Sequence, residues 1–188
     1  MGFFLSLLRR GTSSLTTLLL NQQQQRERIQ KWRQEARDQR DQAQTASAES
    51  QRAYQQGRHD VAKSKSQEAT QCRAEMSLLN KKAADLAFSL NNQGRPANEI
   101  DLHDLSVQEA LDRLQGKLSE RKIRDGKTKV LLVITGKGQR SGADGPRVKP
   151  AVLQWLQEHG YSAEIDPRNE GCVIVQLRSS ERRRCIVQ

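Results

Sequence analysis

The sequence predicts a mixed α+β and α/β chain: an N-terminal antiparallel helical hairpin followed by a compact two-layer β-α-β-α-β-β domain. Three observations predict it. Residues 22–92 contain a single glycine and no proline, and they are rich in the helix formers Gln, Ala, Arg, Glu and Lys. From residue 100 onward, short apolar runs alternate with amphipathic segments, as in a sheet covered by helices. Between the two parts, NNQGRPAN (91–98) places Gly94 and Pro96 where a helix stops. The expected boundaries are an N-terminal amphipathic or targeting segment at 1–21, the hairpin at 22–92, a linker at 93–99, the domain at 100–178 and a basic tail at 179–188.

The opening segment, MGFFLSLLRRGTSSLTTLLL, has no acid, the first being Glu27. On a helical wheel Phe4, Leu7, Leu8, Leu15, Leu18 and Leu19 share one face, and Ser6, Arg9, Ser13 and Thr16 the other. The apolar runs are too interrupted for the roughly 20 residues a spanning helix needs. Three readings stand open: a mitochondrial transit peptide, a membrane-surface tether through an N-myristoyl group on Gly2 aided by Arg9 and Arg10, or a plain cytoplasmic tail. QQQQ at 22–25 is expected to be a helix start or linker.

The hairpin breaks at Gly57, within AYQQGRHD. On its second arm Ala62, Ala69, Cys72, Met76, Leu79, Ala83, Leu86 and Leu90 recur at steps of three and four, a coiled-coil seam. On the first, Ile29, Trp32, Ala36, Ala43, Ala46 and Ala53 follow the same steps. Small residues let helices approach closely but bury little area, so the pair is expected to lean on something else.

In the domain, IDLHD (100–104) reads as a short strand. SVQEALDRLQGKLSERKI (106–123) is a helix opened by a Ser106/Glu109 capping box. A turn at RDGKT leads to KVLLVIT (129–135), an unbroken apolar run expected to be covered on both faces. VKPAVLQWLQEHG (148–160) is a helix with Pro150 near its start and Gly160 as its cap. SAEID and CVIVQL supply two more strands around PRNEG, with Trp155 expected as the largest core side chain.

Charge narrows the partner. Lys and Arg number 32 against 22 acids, a net charge of +10, which favours a polyanion: nucleic acid, or an anionic membrane surface touched by residues 1–20. The three cysteines, Cys72, Cys172 and Cys185, form no C-x-x-C pair, so neither a zinc site nor a disulfide framework is suggested.

Four blocks at compatible spacings carry a family resemblance: D-L-H (101–103), T-G-K-G-x-x-S (135–141), R-V-K-P-A-V (147–152) and N-E-G-x-x-x-V-x-L (169–177). Together they resemble the Smr (small MutS-related) domain. The A-Y-x-x-G turn, the S-x-E-A and the A-A within residues 30–92 are similar to the helical extension that precedes it in many eukaryotic proteins. The resemblance implies a nucleic-acid endonuclease. Its expected substrate is RNA ahead of DNA, chiefly mRNA on stalled ribosomes.

Read on a strand, Asp101 and His103 share a face, and Ile100, Leu102 and Asp104 the other. A carboxylate beside an imidazole fixes its tautomer and suits it to acid/base work on an RNA 2′-hydroxyl or a departing 5′-oxygen. Against this stands a plain packing role, which spacing alone favours and the resemblance outweighs. Gly136 and Gly138 follow a buried strand, where backbone N–H groups can turn to an anion. Lys137, Arg140 and Ser141 complete that phosphate cradle, and Arg147 and Lys149 open the next helix, where its N-terminus attracts phosphate. Two departures from the family pattern weigh toward a non-catalytic RNA- or ribosome-binding adaptor: Asp104 where glycine is usual, and Arg140 where histidine is frequent. No carboxylate cluster for paired metals is present, so metal-independent transesterification without a cofactor is expected. A membrane- or organelle-tethered scaffold is the third reading.

Overall fold

The computed structural model describes residues 3–124, 130–138 and 146–177. Arg140, Ser141, most of the RDGKT turn and the tail at 179–188 lie outside the described residues. The chain divides into two units, Met1–Ala87 and Phe88–Gln188.

The first unit is a pair of long helices, α1 (Phe3–Gln55) and the greater part of α2 (His59–Asn92). QQQQ lies inside α1 and neither starts it nor links to it. Gln is a good helix former, and the lone Gly11 costs only about 1 kcal/mol, too little to end a helix. Side-chain bonds one turn apart, Gln23 to Glu27 and Gln25 to Asn21, span the run. Gly57, at φ 74°, supplies the left-handed residue that lets the chain reverse. The two arms run antiparallel: Ser50 Oγ donates to the Ala62 carbonyl at 2.7 Å, Arg73 to Ser47 Oγ at 2.6 Å, and Arg33 to Asn80 Oδ1 at 2.8 Å. Between them lie Ala36, Ala43, Ala46 and Ala53 of α1 and Ala62, Ala69, Leu79 and Ala83 of α2, all buried. Cys72 and Met76 are only half-buried. Lys65 bridges Glu49 of α1 and Glu68 of its own helix, and the hydrogen bond to Glu49 is the leading cause of its raised pKa. Among the described residues no helix is long and apolar enough to cross a membrane.

The second unit begins with the last turn of α2 and continues through β1 (Glu99–Asp101), α3 (Val107–Arg124), β2 (Val130–Ile134), α4 (Val148–Glu158), β3 (Ser162–Asp166) and β4 (Asn169–Gln176). The sheet order is β1-β2-β4-β3. β1 lies parallel to β2, with Asp101 opposite Ile134, and β4 runs antiparallel to both β2 and β3. The capping box is in place: Glu109 N–H donates to Ser106 Oγ, and Glu109 Oε2 accepts from the Ser106 amide at 2.8 Å. Ala110, Leu114 and Leu118 of α3 and Val152 and Leu156 of α4 join Ile100, Leu131, Val133, Val173 and Val175 of the sheet in the core.

Three expectations give way here. β1 ends at Asp101, so His103 and Asp104 stand in a turn and not on a strand. β2 is not covered equally on both faces: Leu131 and Val133 are buried, while Leu132 and Ile134 are half-buried. One of its neighbours is antiparallel, and the helix cover goes to one face. Trp155 sits at the core's edge, its ring stacked on His159 at 3.8 Å, and the largest fully buried side chains are Ile100 and the leucines. His159 caps α4, and Gly160 follows it at φ 70° as the left-handed residue beyond the cap.

Leu131 has no exposure on the central strand. Leu131→Ala is expected to destabilise this unit by about 2–5 kcal/mol through lost burial and a residual cavity, read as a lower urea midpoint with an unchanged slope.

Candidate active site

Asp101 is the last residue of β1, and the next amide, that of Leu102, donates to the Ile134 carbonyl at 2.8 Å. The chain then leaves the ladder because Asp101 bends it. Its Oδ1 accepts the His103 amide at 3.0 Å, an Asx-type turn. Asp104 completes the bend at φ 65°. This left-handed region favours glycine and is tolerated best by Asp and Asn among the rest, so an aspartate can stand where the family pattern has glycine.

The same Oδ1 lies 2.5 Å from His103 Nδ1. The pair therefore meets through a side-chain turn, not through the shared strand face that spacing suggests. A carboxylate only accepts hydrogen bonds, so Nδ1 carries the ring proton and Nε2 is the nitrogen left for exchange. The Asp101 carboxylate is 1% exposed and the His103 side chain 34% exposed. The ring thus meets solvent, while the acid stays out of water. On the outer side, His103 Nε2 lies 3.3 Å from Asp104 Oδ2.

Residues that the sequence reading left in a helix end and a linker hold this pair. Arg95 Nη2 donates to Asp101 Oδ2 at 2.5 Å, and its Nε to the Asn91 carbonyl at 2.6 Å. The Asn92 amide closes a two-way clamp on Asp101: Nδ2 donates to its carbonyl and Oδ1 accepts its N–H, both at 2.8 Å. Asn91 Nδ2 donates to the His103 carbonyl at 3.0 Å. The signal was present in the sequence as amides and an arginine flanking Gly94 at a helix terminus, where such side chains seek nearby carbonyls.

β2 delivers the glycine turn beside this pair. A Cβ placed on Gly136 would lie 3.5 Å from His103 Cβ, so the turn runs beside the base of the His103 side chain. The Gly136 amide donates to the Gly171 carbonyl, as do the Thr135 amide and hydroxyl. It is thus committed to the fold and does not face an anion. The amides of Lys137 and Gly138 take no partner among the described residues, and Lys137 is exposed. Gly138, at φ 74°, packs on Pro146: a Cβ there would overlap Pro146 Cβ. Arg147, the N-cap of α4, is exposed. Lys149 donates to the Glu170 carbonyl at 2.9 Å, next to Gly171, so it braces the start of β4 behind the turn. Among the described residues no group of three His, Cys, Asp or Glu side chains comes together to hold a metal. Cys172 is buried, and burial raises its thiol pKa, with the Asp166, Asp101 and Glu99 carboxylates adding to the shift and Arg95 opposing it.

The Smr domain model matches residues 100–178, and the model for a domain of unknown function, DUF1771, matches residues 30–92. The chain is 34% identical over 152 residues to Endonuclease NBR9 of Saccharomyces cerevisiae, a match over 81% of this chain and 61% of that protein. It is 38% identical over 132 residues to human NEDD4-binding protein 2, over 67% of this chain and 7% of that one. The chain thus spans about three-fifths of the yeast relative and a small part of the human one. A solution structure of the B3BP Smr domain is similar at 33% identity, covering 53% of this chain and 96% of that one, with a TM-score of 0.42.

Two outcomes follow from the packing. Gly138→Ala forces a Cβ onto Pro146 at a left-handed φ, so it is expected to cost more than about 1 kcal/mol of stability in chemical denaturation. Cys172, with its raised pKa, holds less thiolate at pH 8 than an ordinary cysteine. Iodoacetamide followed by peptide mass mapping is expected to label it well after Cys72, with the difference vanishing in denaturant.

Proposed function

The chain belongs to the Smr domain family, and from that premise we propose that it is an endonuclease that cleaves RNA by transesterification through the 2′-hydroxyl. The observation that carries this reading is the Asp101 Oδ1 contact on His103 Nδ1 at 2.5 Å, with the Gly136 turn beside the Cβ of the same histidine. The net charge of +10 suits a polyanionic substrate. The yeast relative's name, an endonuclease, agrees with it.

In this reading the substrate 2′-oxygen attacks the adjacent phosphorus and its proton leaves to solvent. The bond from phosphorus to the 5′-oxygen breaks, and that oxygen takes the Nε2 proton of the doubly protonated His103 ring, which keeps its Nδ1 proton. The products are a 2′,3′-cyclic phosphate and a 5′-hydroxyl. Asp101 holds the ring by Nδ1 and offsets its charge. Lys137 and the amides of Lys137 and Gly138 receive the phosphate oxygens as their charge grows. Arg147 adds to the field from the start of α4. The helical pair is read as the part that docks on RNA or on a larger particle such as the ribosome.

A second reading, RNA binding without chemistry, draws on one observation: Asp104 Oδ2 stands 3.3 Å from Nε2, where a scissile phosphate has to approach. Cleavage of labelled RNA separates the two. His103→Ala is expected to lower the rate about 10²–10⁴-fold. A 2′-deoxy sugar at the cut site should block cleavage, and a chelator should leave it unchanged. Intact RNA with wild-type protein, together with binding that weakens steeply as salt rises, would instead establish the adaptor. Full activity of His103→Ala would remove the ring from the chemistry.

A further inference from the structure

The reacting pair is held in place by side chains that lie outside residues 100–178. A carboxylate that is 1% exposed is costly unless every oxygen is partnered. Asp101 Oδ1 is taken by the His103 amide and ring, and Oδ2 by Arg95. That second contact decides how the carboxylate is rotated. The Asn92 clamp fixes the Asp101 backbone and the His103 amide holds Oδ1, so the contact on Oδ2 fixes the remaining rotation of the carboxylate.

Arg95 is itself anchored. Its Nε is pinned to the Asn91 carbonyl at the end of α2, and Nη1 approaches Glu99 Oε2 at 3.5 Å. A guanidinium fixed at two edges is a planar template, and lysine cannot reproduce it. We propose that Arg95 is a positioning residue for the cleavage reaction, acting through Asp101 to hold the His103 ring by its Nδ1 edge. This rests on the reading of Asp101 and His103 as the reacting pair. Arg95 touches no reacting atom. Its part is to keep the Asp101 carboxylate turned so that one oxygen always faces Nδ1 and the ring cannot swing.

The test uses the full chain with Arg95→Ala and Arg95→Lys, against labelled RNA and with melting curves to confirm folding. Loss of positioning should lower kcat about 10–100-fold in Arg95→Ala, with KM within about twofold. Arg95→Lys, which keeps the charge but not the fork, should recover only part of that loss. The second readout needs no activity: the His103 Nδ1–H proton should give a resolved, slowly exchanging NMR signal in the wild type that is lost in Arg95→Ala. Wild-type kcat with the signal retained in Arg95→Ala would overturn the proposal while leaving the reaction intact. Full cleavage by His103→Ala would overturn the reaction instead, and the NMR signal would still decide whether Arg95 orients the ring. If Arg95→Ala does not fold, Arg95→Lys decides alone: unchanged kcat and signal there overturn the proposal.

Discussion

The arrangement of this site depends on one burial: the Asp101 carboxylate, sealed at the end of the first strand. An ionised group removed from water needs partners on every side, and each partner it recruits shapes something else. His103 Nδ1 and the His103 amide share one oxygen, which turns the chain out of the sheet and aims the imidazole. Arg95 on the other oxygen ties the strand to the end of α2. Replace the acid with an apolar residue of similar size and the strand end could still pack, but the bend and the ring orientation would lose their cause.

Much of this was legible in the sequence, for reasons that differ by element. The capping box at Ser106 and Glu109, the reversal at Gly57 and the helix stop at Gly94 are local: a few adjacent residues fix their own backbone, so a short window suffices. The parallel pairing of β1 with β2 was also readable, because the two apolar runs are separated by one helical crossover. What was not readable depended on side chains meeting out of register. IDLHD looks like a strand throughout, since nothing in its pattern reveals that the Asp101 side chain takes the His103 amide and ends the ladder. QQQQ looks like a boundary and is merely a polar stretch within α1.

The phosphate cradle illustrates the same limit from the other direction. Two glycines after a strand suggest a nest of free amides, yet the Gly136 amide is spent on Gly171, and Lys149 is drawn to the carbonyl of Glu170. Glycine there answers backbone and packing needs: Gly136 sits at φ 75°, and Pro146 leaves no room above Gly138. Among the described residues the cationic character of the turn rests on Lys137, with Arg147 near the start of α4 contributing from the helix N-terminus.

The strand that carries the acid lies at the outer edge of the sheet and pairs on one side only, over three residues. Peripheral strands of this length open with little loss of hydrogen bonding, far more often than the whole domain unfolds. The lifetime of the Asp101–His103 contact is therefore tied to fraying of one short border segment. For the proposed reaction, mutations or solvent conditions that leave global melting untouched would lower the rate by letting that border come loose.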